Sequence, residues 1–228
     1  MRNASKAGVM TGFSIAALSG EKLSCQRGFK LLFQDLDLSA SAGRALVVTG
    51  PNGAGKSSLL RILAGLLTPS AGKVRLSGDG LDGQGGLREH LHYLGHDDAV
   101  KGALTVAANL DFWRQVLGPT GFSVEEALDE VGLGGLGRLR ASVLSAGQKR
   151  RLAIARLLVS QRPIWILDEP TTALDVKAQA QFAAFGRAHL YAGGILVAAT
   201  HAPLDLGDID GLNLSGRALA PASGEFDA

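Results

Sequence analysis

An α/β fold with a parallel sheet is what this sequence predicts, on three observations. Short apolar runs of strand length alternate with longer segments of helical period. One run passes through a glycine-rich turn straight into a helix, and another ends in two adjacent carboxylates. In such folds a ligand sits beyond the carboxyl ends of the strands. The 228 residues fit one domain, and 46% apolar against 19% charged is enough to bury a core. A net charge of +2, from 23 basic and 21 acidic residues, calls for neither a nucleic-acid partner nor an acidic surface. The single cysteine, Cys25, excludes an internal disulfide framework and fits a reducing compartment. It reads as a small apolar core residue.

The elements follow in order. Residues 1–12 read as a loose extension rather than a signal peptide, because Thr11, Gly12 and Ser14 interrupt the mildly apolar stretch after Arg2 and Lys6. Residues 13–38 read as short strands and turns. Ala45–Thr49 is a buried strand, followed by a glycine turn and a helix over 55–64 that Gly65 stops. Residues 73–77 form a strand, 78–86 a flexible glycine-rich loop, and 91–95 a strand. Val106–Leu117 and residues 123–131 are helical. Residues 145–160 form an amphipathic helix, with Leu152, Ile154, Ala155, Leu158 and Val159 apolar among basic residues. Ile164–Asp168 is a strand, Val176–Tyr191 a helix and 195–200 a strand. No apolar run reaches the roughly 20 residues that a membrane-spanning helix needs.

The glycine turn carries the chemistry. Gly50, Pro51, Asn52, Gly53, Ala54, Gly55, Lys56 and Ser57 fit the pattern G-x-x-x-x-G-K-[ST], and Ser58 follows inside the helix. Glycines let the backbone curl so that several N–H groups face phosphate oxygens, and the helix N-terminus adds about half a positive charge. Lys56 then reaches the β- and γ-phosphates of ATP, and the Ser57 hydroxyl binds Mg²⁺. Further on, a strand ends in Asp168 and Glu169. Strand neighbours point to opposite sides, so the two acids take different roles. Asp168 suits a metal and Glu169 the attacking water.

Leu144-Ser145-Ala146-Gly147-Gln148, placed between the phosphate loop and the acidic strand, resembles the L-S-G-G-Q signature of ABC ATPases. Thr172-Ala173-Leu174-Asp175 resembles the loop that follows the acidic strand in that family, and His201 matches its switch histidine. The resemblance covers residues from about 23 to 204. It implies a P-loop NTPase fold of the ABC ATPase type. That fold has a mostly parallel sheet core, an antiparallel β subdomain and a helical subdomain at about 97–160, within a domain spanning 13–228. It also implies a head-to-tail dimer over two ATP molecules. Ser145, Gly147 and Gln148 of one copy would face the phosphate loop of the other, with Asp175 also cofactor-binding and Glu169, His201 and Lys56 catalytic.

Three positions depart from the family pattern. Ala146 replaces the first signature glycine, which ordinary backbone angles would tolerate. His96 stands where a metal-sensing glutamine is usual, so His96 is a candidate metal contact. Arg27, with Phe29 nearby, stands in for the aromatic that stacks on adenine, and Arg27 can stack by a cation–π contact.

Residues 23–28 and 93–96, Leu104-Thr105 with Asn109-Leu110, and residues 144–151 and 200–204 together resemble one subfamily. This is the haem exporter ATP-binding protein of the cytochrome c maturation (Ccm) system. The resemblance implies an ATPase on the cytoplasmic side of a bacterial inner membrane, peripheral to membrane-spanning Ccm subunits. There it would power haem export or haem-chaperone release in cytochrome c biogenesis. An ABC ATPase for another substrate, and a soluble ABC ATPase of iron–sulfur assembly, are the alternatives. No C-x-x-C-H haem attachment motif is present. His90 and His92 read as a surface pair rather than a metal site. Lys149-Arg150-Arg151 reads as the solvated or interface face of its helix rather than a nucleic-acid contact.

Overall fold

The computed structural model describes residues 13–78 and 86–215. The extension expected at 1–12 and most of the glycine-rich loop expected at 78–86 lie outside the described residues. The described residues open with an antiparallel hairpin, β1 (Ile15–Arg27) and β2 (Lys30–Ser41), turned at Gly28, whose φ is 60°. These are two long strands where short strands and turns are expected over 13–38. Register shifts around Leu23 and Cys25, with Lys22 and Asp35 at φ 50° and 48°, break the alternation by which a long strand is read from sequence.

Next come β3 (Ala45–Thr49), α1 (Lys56–Leu63), β4 (Ala71–Gly78) and β5 (Leu91–Leu94). Then follow α2 (Val106–Leu117), α3 (Val124–Glu130) and α4 (Ala146–Val159). Last among the described residues are β6 (Ile164–Asp168), α5 (Val176–Tyr191), β7 (Ile195–Ala199) and β8 (Ile209–Asn213), the final strand not foreseen from sequence. In β8, Ile209 and Leu212 are separated by Asp210 and Gly211, too short and polar a run to announce a strand.

β2, β1 and β4 form an antiparallel sheet, and β5, β6, β7, β3 and β8 a parallel one in that order. Of the parallel strands, β6 and β7 are buried along their whole length, which explains their unbroken apolar runs. Alternation assigns each side chain to a face. Ile164 and Ile166 of β6, with Ile195, Val197 and Ala199 of β7, pack with α1 and the antiparallel sheet. Trp165, Leu167, Leu196 and Ala198 pack toward α4, α5 and the helices before them. Two cores thus share one sheet, and the sheet fixes where the antiparallel layer and the helical arm stand.

Caps set the helix starts. Ser123 and Ser145 each form a capping box with the residue three on, Glu126 and Gln148. Asp175 Oδ1 accepts from the Ala178 amide at 2.8 Å.

Two side-chain expectations are overturned. His92 is buried, its Nε2 2.6 Å from the Ser160 carbonyl, so His90 and His92 are no surface pair. Burial pushes His92 down to about 3. Arg150 is also buried, so only part of the 149–151 run is solvated. Helix α4 is accordingly covered nearly all round rather than amphipathic.

Candidate nucleotide site

The parallel sheet delivers the motif residues to one end. β3 runs out at Thr49 into the glycine turn, β5 at Leu94 toward His96, β6 at Asp168 into Glu169, and β7 at Ala199 toward His201. These four strands are neighbours through β5-β6-β7-β3, so their carboxyl ends are adjacent. There a cavity of about 590 Å³ is lined by Asn52, Gly53, Gly55, Lys56, Ser57 and Ser58 from the turn and α1. Asp168, Glu169 and Thr172 close a second side; His96, His201, Arg27 and Leu32 complete it.

The turn is shaped by its glycines. Gly50, Gly53 and Gly55 have φ of 142°, 78° and 101°. At Gly55 a Cβ would also meet Leu32 and Phe33 at 3.1 Å, so any other residue would be both strained and crowded. Lys56 Nζ lies across the curl, donating to the carbonyls of Gly50 at 2.7 Å and Pro51 at 3.1 Å. The ammonium is thereby held against the glycine turn at the start of α1.

Opposite the turn, Asp168 is buried and Glu169 is partly open, its side chain 24% exposed. Glu169 sits at φ 48°, a left-handed conformation unusual for a residue with a Cβ, and its amide donates to the Ala199 carbonyl at 2.8 Å. His201 Nε2 lies 3.8 Å from Glu169 Oε1 and 3.2 Å from Asn52 Oδ1. The histidine therefore bridges the acidic strand end and the glycine turn. Ser57, Asp168 and His96 share the cavity wall, two oxygen donors and one nitrogen.

Not every expected site residue is brought there. Ser145, Gly147, Gln148 and Asp175 do not line this cavity. They lie together at the N-termini of α4 and α5, where a Cβ on Gly147 would come 2.8 Å from the Ala173 carbonyl. Ala146 takes ordinary negative φ in the first turn of α4, so its methyl is accommodated. Of the two adenine-stacking candidates, Arg27 lines the cavity, whereas Phe29 is fully exposed at the hairpin tip. Cys25 is buried, and that burial pushes its thiol up, as expected of a core residue.

Two residues at this end escaped the sequence reading, Arg150 and Asp98. Arg150 contacts both the Asp168–Pro170 turn and the loop that carries His96. A signal existed: Arg150 stands at i with Ala153, Ile154 and Leu157 at i+3, i+4 and i+7, on the buried face of α4. Asp98 had no comparable signal, because its partner is 52 residues away.

A family model described as ABC transporter matches residues 33–172. The cytochrome c biogenesis ATP-binding export protein CcmA of Nitrobacter winogradskyi is 54% identical over 189 residues, 83% of this chain and 94% of that protein. The protein of the same name in Rhizobium meliloti is 52% identical over 203 residues, 87% of this chain and 98% of its own length. The dimeric structure of MJ0796, a bacterial ABC transporter cassette, superposes with a TM-score of 0.72 at 24% identity, covering 86% of this chain and 94% of that one. With the glycine turn, the two acids and the histidine gathered at one sheet end, these matches establish that the chain belongs to the ABC transporter family, as an ATP-binding and ATP-hydrolysing subunit.

Proposed function

We propose that this ATPase serves cytochrome c biogenesis at the cytoplasmic side of a bacterial inner membrane, powering haem export or release of haem from its chaperone. Its similarity to cytochrome c biogenesis ATP-binding export proteins supports that role. No helix among the described residues is long and apolar enough to cross a membrane. In this reading the transport path belongs to membrane-spanning partner subunits.

The observation that carries the catalytic reading is the convergence of Lys56, Ser57, Asp168, Glu169 and His201 on one cavity. In this reading the curled amides and Lys56 hold the phosphates, and Ser58 continues the amide nest into α1. Glu169 takes the proton of the attacking water, and His201 orients both. Arg27 packs on the base. Ser57 and Asp168 would hold Mg²⁺, with His96 beside them; the ion would supply charge neutralisation at the phosphates. The donor set fits: two protein oxygens suit a cation that takes its remaining ligands from phosphate and water. Among the described residues no cluster of three or more His, Cys, Asp or Glu competes for a metal.

Ser145, Gly147, Gln148 and Asp175, outside the cavity, are assigned to the ATP of a second copy in a head-to-tail dimer. Within the domain at 13–228, the segment at about 97–160 is assigned as the helical subdomain. Titration of the full chain with Mg-ATP tests the cavity: saturable binding that Lys56→Ala weakens is expected, and no binding overturns it. Purification from membranes tests the setting: haem-handling membrane subunits are expected to accompany the chain, and subunits of a different transporter would reassign its cargo.

A further inference from the structure

Arg150 projects from α4 with its side chain only 4% exposed. A guanidinium has five N–H donors in a fixed planar fork. All five are used. Nε donates to the Pro170 carbonyl at 3.0 Å. Nη2 donates to the carbonyls of Asp168 at 2.9 Å and Glu169 at 2.6 Å. Nη1 donates to the Gly95 carbonyl at 3.0 Å and to Asp98 Oδ1 at 2.9 Å.

The acceptors fall in two groups. Asp168, Glu169 and Pro170 are consecutive carbonyls of the turn in which Glu169 is held at φ 48°. Arg150 gives each of these three carbonyls a donor, and the Glu169 carbonyl also accepts from the Thr172 amide at 3.2 Å. Gly95 and Asp98 flank His96, which lines the same cavity as Glu169. The side chain itself belongs to the helix capped by Ser145. One rigid group therefore joins the acidic turn, the His96 loop and the signature helix.

We infer that Arg150 is a positioning residue for ATP hydrolysis, which sets the Glu169 backbone and locks it to the His96 loop through Gly95 and Asp98. The inference rests on reading Glu169 and His96 as ATP-site residues. Arg150 lies outside the cavity lining, so its loss should act on turnover and not on nucleotide affinity. Lysine cannot replace it fully, because three donors on a flexible stem cannot span two separate acceptor groups.

The test uses the full-length chain in the membrane complex with which it co-purifies. Steady-state hydrolysis is measured for Arg150→Gln, Arg150→Lys and Asp98→Ala, each alongside affinity for a fluorescent ATP analogue and thermal stability. Turnover per nucleotide-binding molecule is expected to fall about tenfold or more in Arg150→Gln, with KM and affinity within about twofold of wild type. Arg150→Lys should recover part of this. Asp98→Ala, which frees a single donor at a partly open position, should lose about threefold. A merely structural arginine would lower thermal stability while leaving turnover per binding-competent molecule unchanged, and that result in both Arg150→Gln and Asp98→Ala overturns the inference. Should Arg150→Gln fail to fold, Arg150→Lys and Asp98→Ala decide by the same turnover criterion. Wild-type protein that binds no nucleotide instead overturns the reading of the cavity, and the inference with it.

Discussion

At the scale of single residues, the proposed site separates binding from chemistry. Lys56 brings a full charge to the glycine turn and is held by two carbonyls of that turn. Lys56→Ala is expected to weaken ATP binding at least about tenfold, since charge-assisted contacts to phosphate are each worth roughly 1.5–3 kcal/mol. Isothermal titration with Mg-ATP reads this directly. Glu169 stands apart from the turn, and Glu169→Gln keeps its shape while removing the base. Turnover is expected to fall about 100-fold or more with affinity retained, which phosphate-release kinetics and equilibrium binding check together. These residues were legible because each belongs to a run of neighbours in sequence. Arg27 was legible as a stacking candidate only by position, and it took the hairpin's placement to separate it from Phe29.

At the scale of elements, the N-termini of α4 and α5 are tied together. Arg151 Nη2 meets Asp175 Oδ2, and the Asp175 side chain also caps α5. Gly147 lies so close to the Ala173 carbonyl that a methyl would force the two helix starts apart. Gly147→Ala is therefore expected to reduce turnover of the assembled complex, while Mg-ATP affinity of the unassembled chain stays near wild type. Equal loss of both would contradict the assignment of Gly147 to a second copy's ATP. Removing the cap with Asp175→Ala should cost about 1 kcal/mol, seen as a drop of roughly 2–4 °C in Tm. The helix bounds read from sequence, 123–131 and 145–160, begin at the two serines, and the structure shows these to be caps bonded to Glu126 and Gln148. The buried character of α4 was not, because Arg150 and Arg156 read as solvated until their acceptors are known. Arg156 donates to the Tyr93 carbonyl and lies over the Trp113 ring, 4.6 Å from its centroid.

At the scale of the whole molecule, two cores share the parallel sheet, and two histidines are sealed beside it. His92 contacts the Ser160 carbonyl, and His189 stacks on Trp165 with centroids 4.1 Å apart. Burial pushes them down to about 3 and about 4. Both are neutral when folded and charge below about pH 6.5 when unfolded, so the unfolded chain binds more protons in that window. Stability is complete above about pH 6.5 and falls as pH drops toward 4, by up to about 1.4 kcal/mol per pH unit for each histidine. Urea midpoints between pH 7.5 and 4.5 should show this slope, and His92→Gln and His189→Gln should each flatten it relative to wild type. By itself the sequence determined the α/β class, the glycine turn into α1, the acidic end of β6 and the helix beginning near Ser145, because strand-length apolar runs, helical period and turn chemistry act between near neighbours. Only the tertiary structure decided the long hairpin, the eighth strand, the burial of His92 and the five acceptors of Arg150. Those depend on groups far apart in the chain, whose pairing exists only once the sheet has brought its strand ends together.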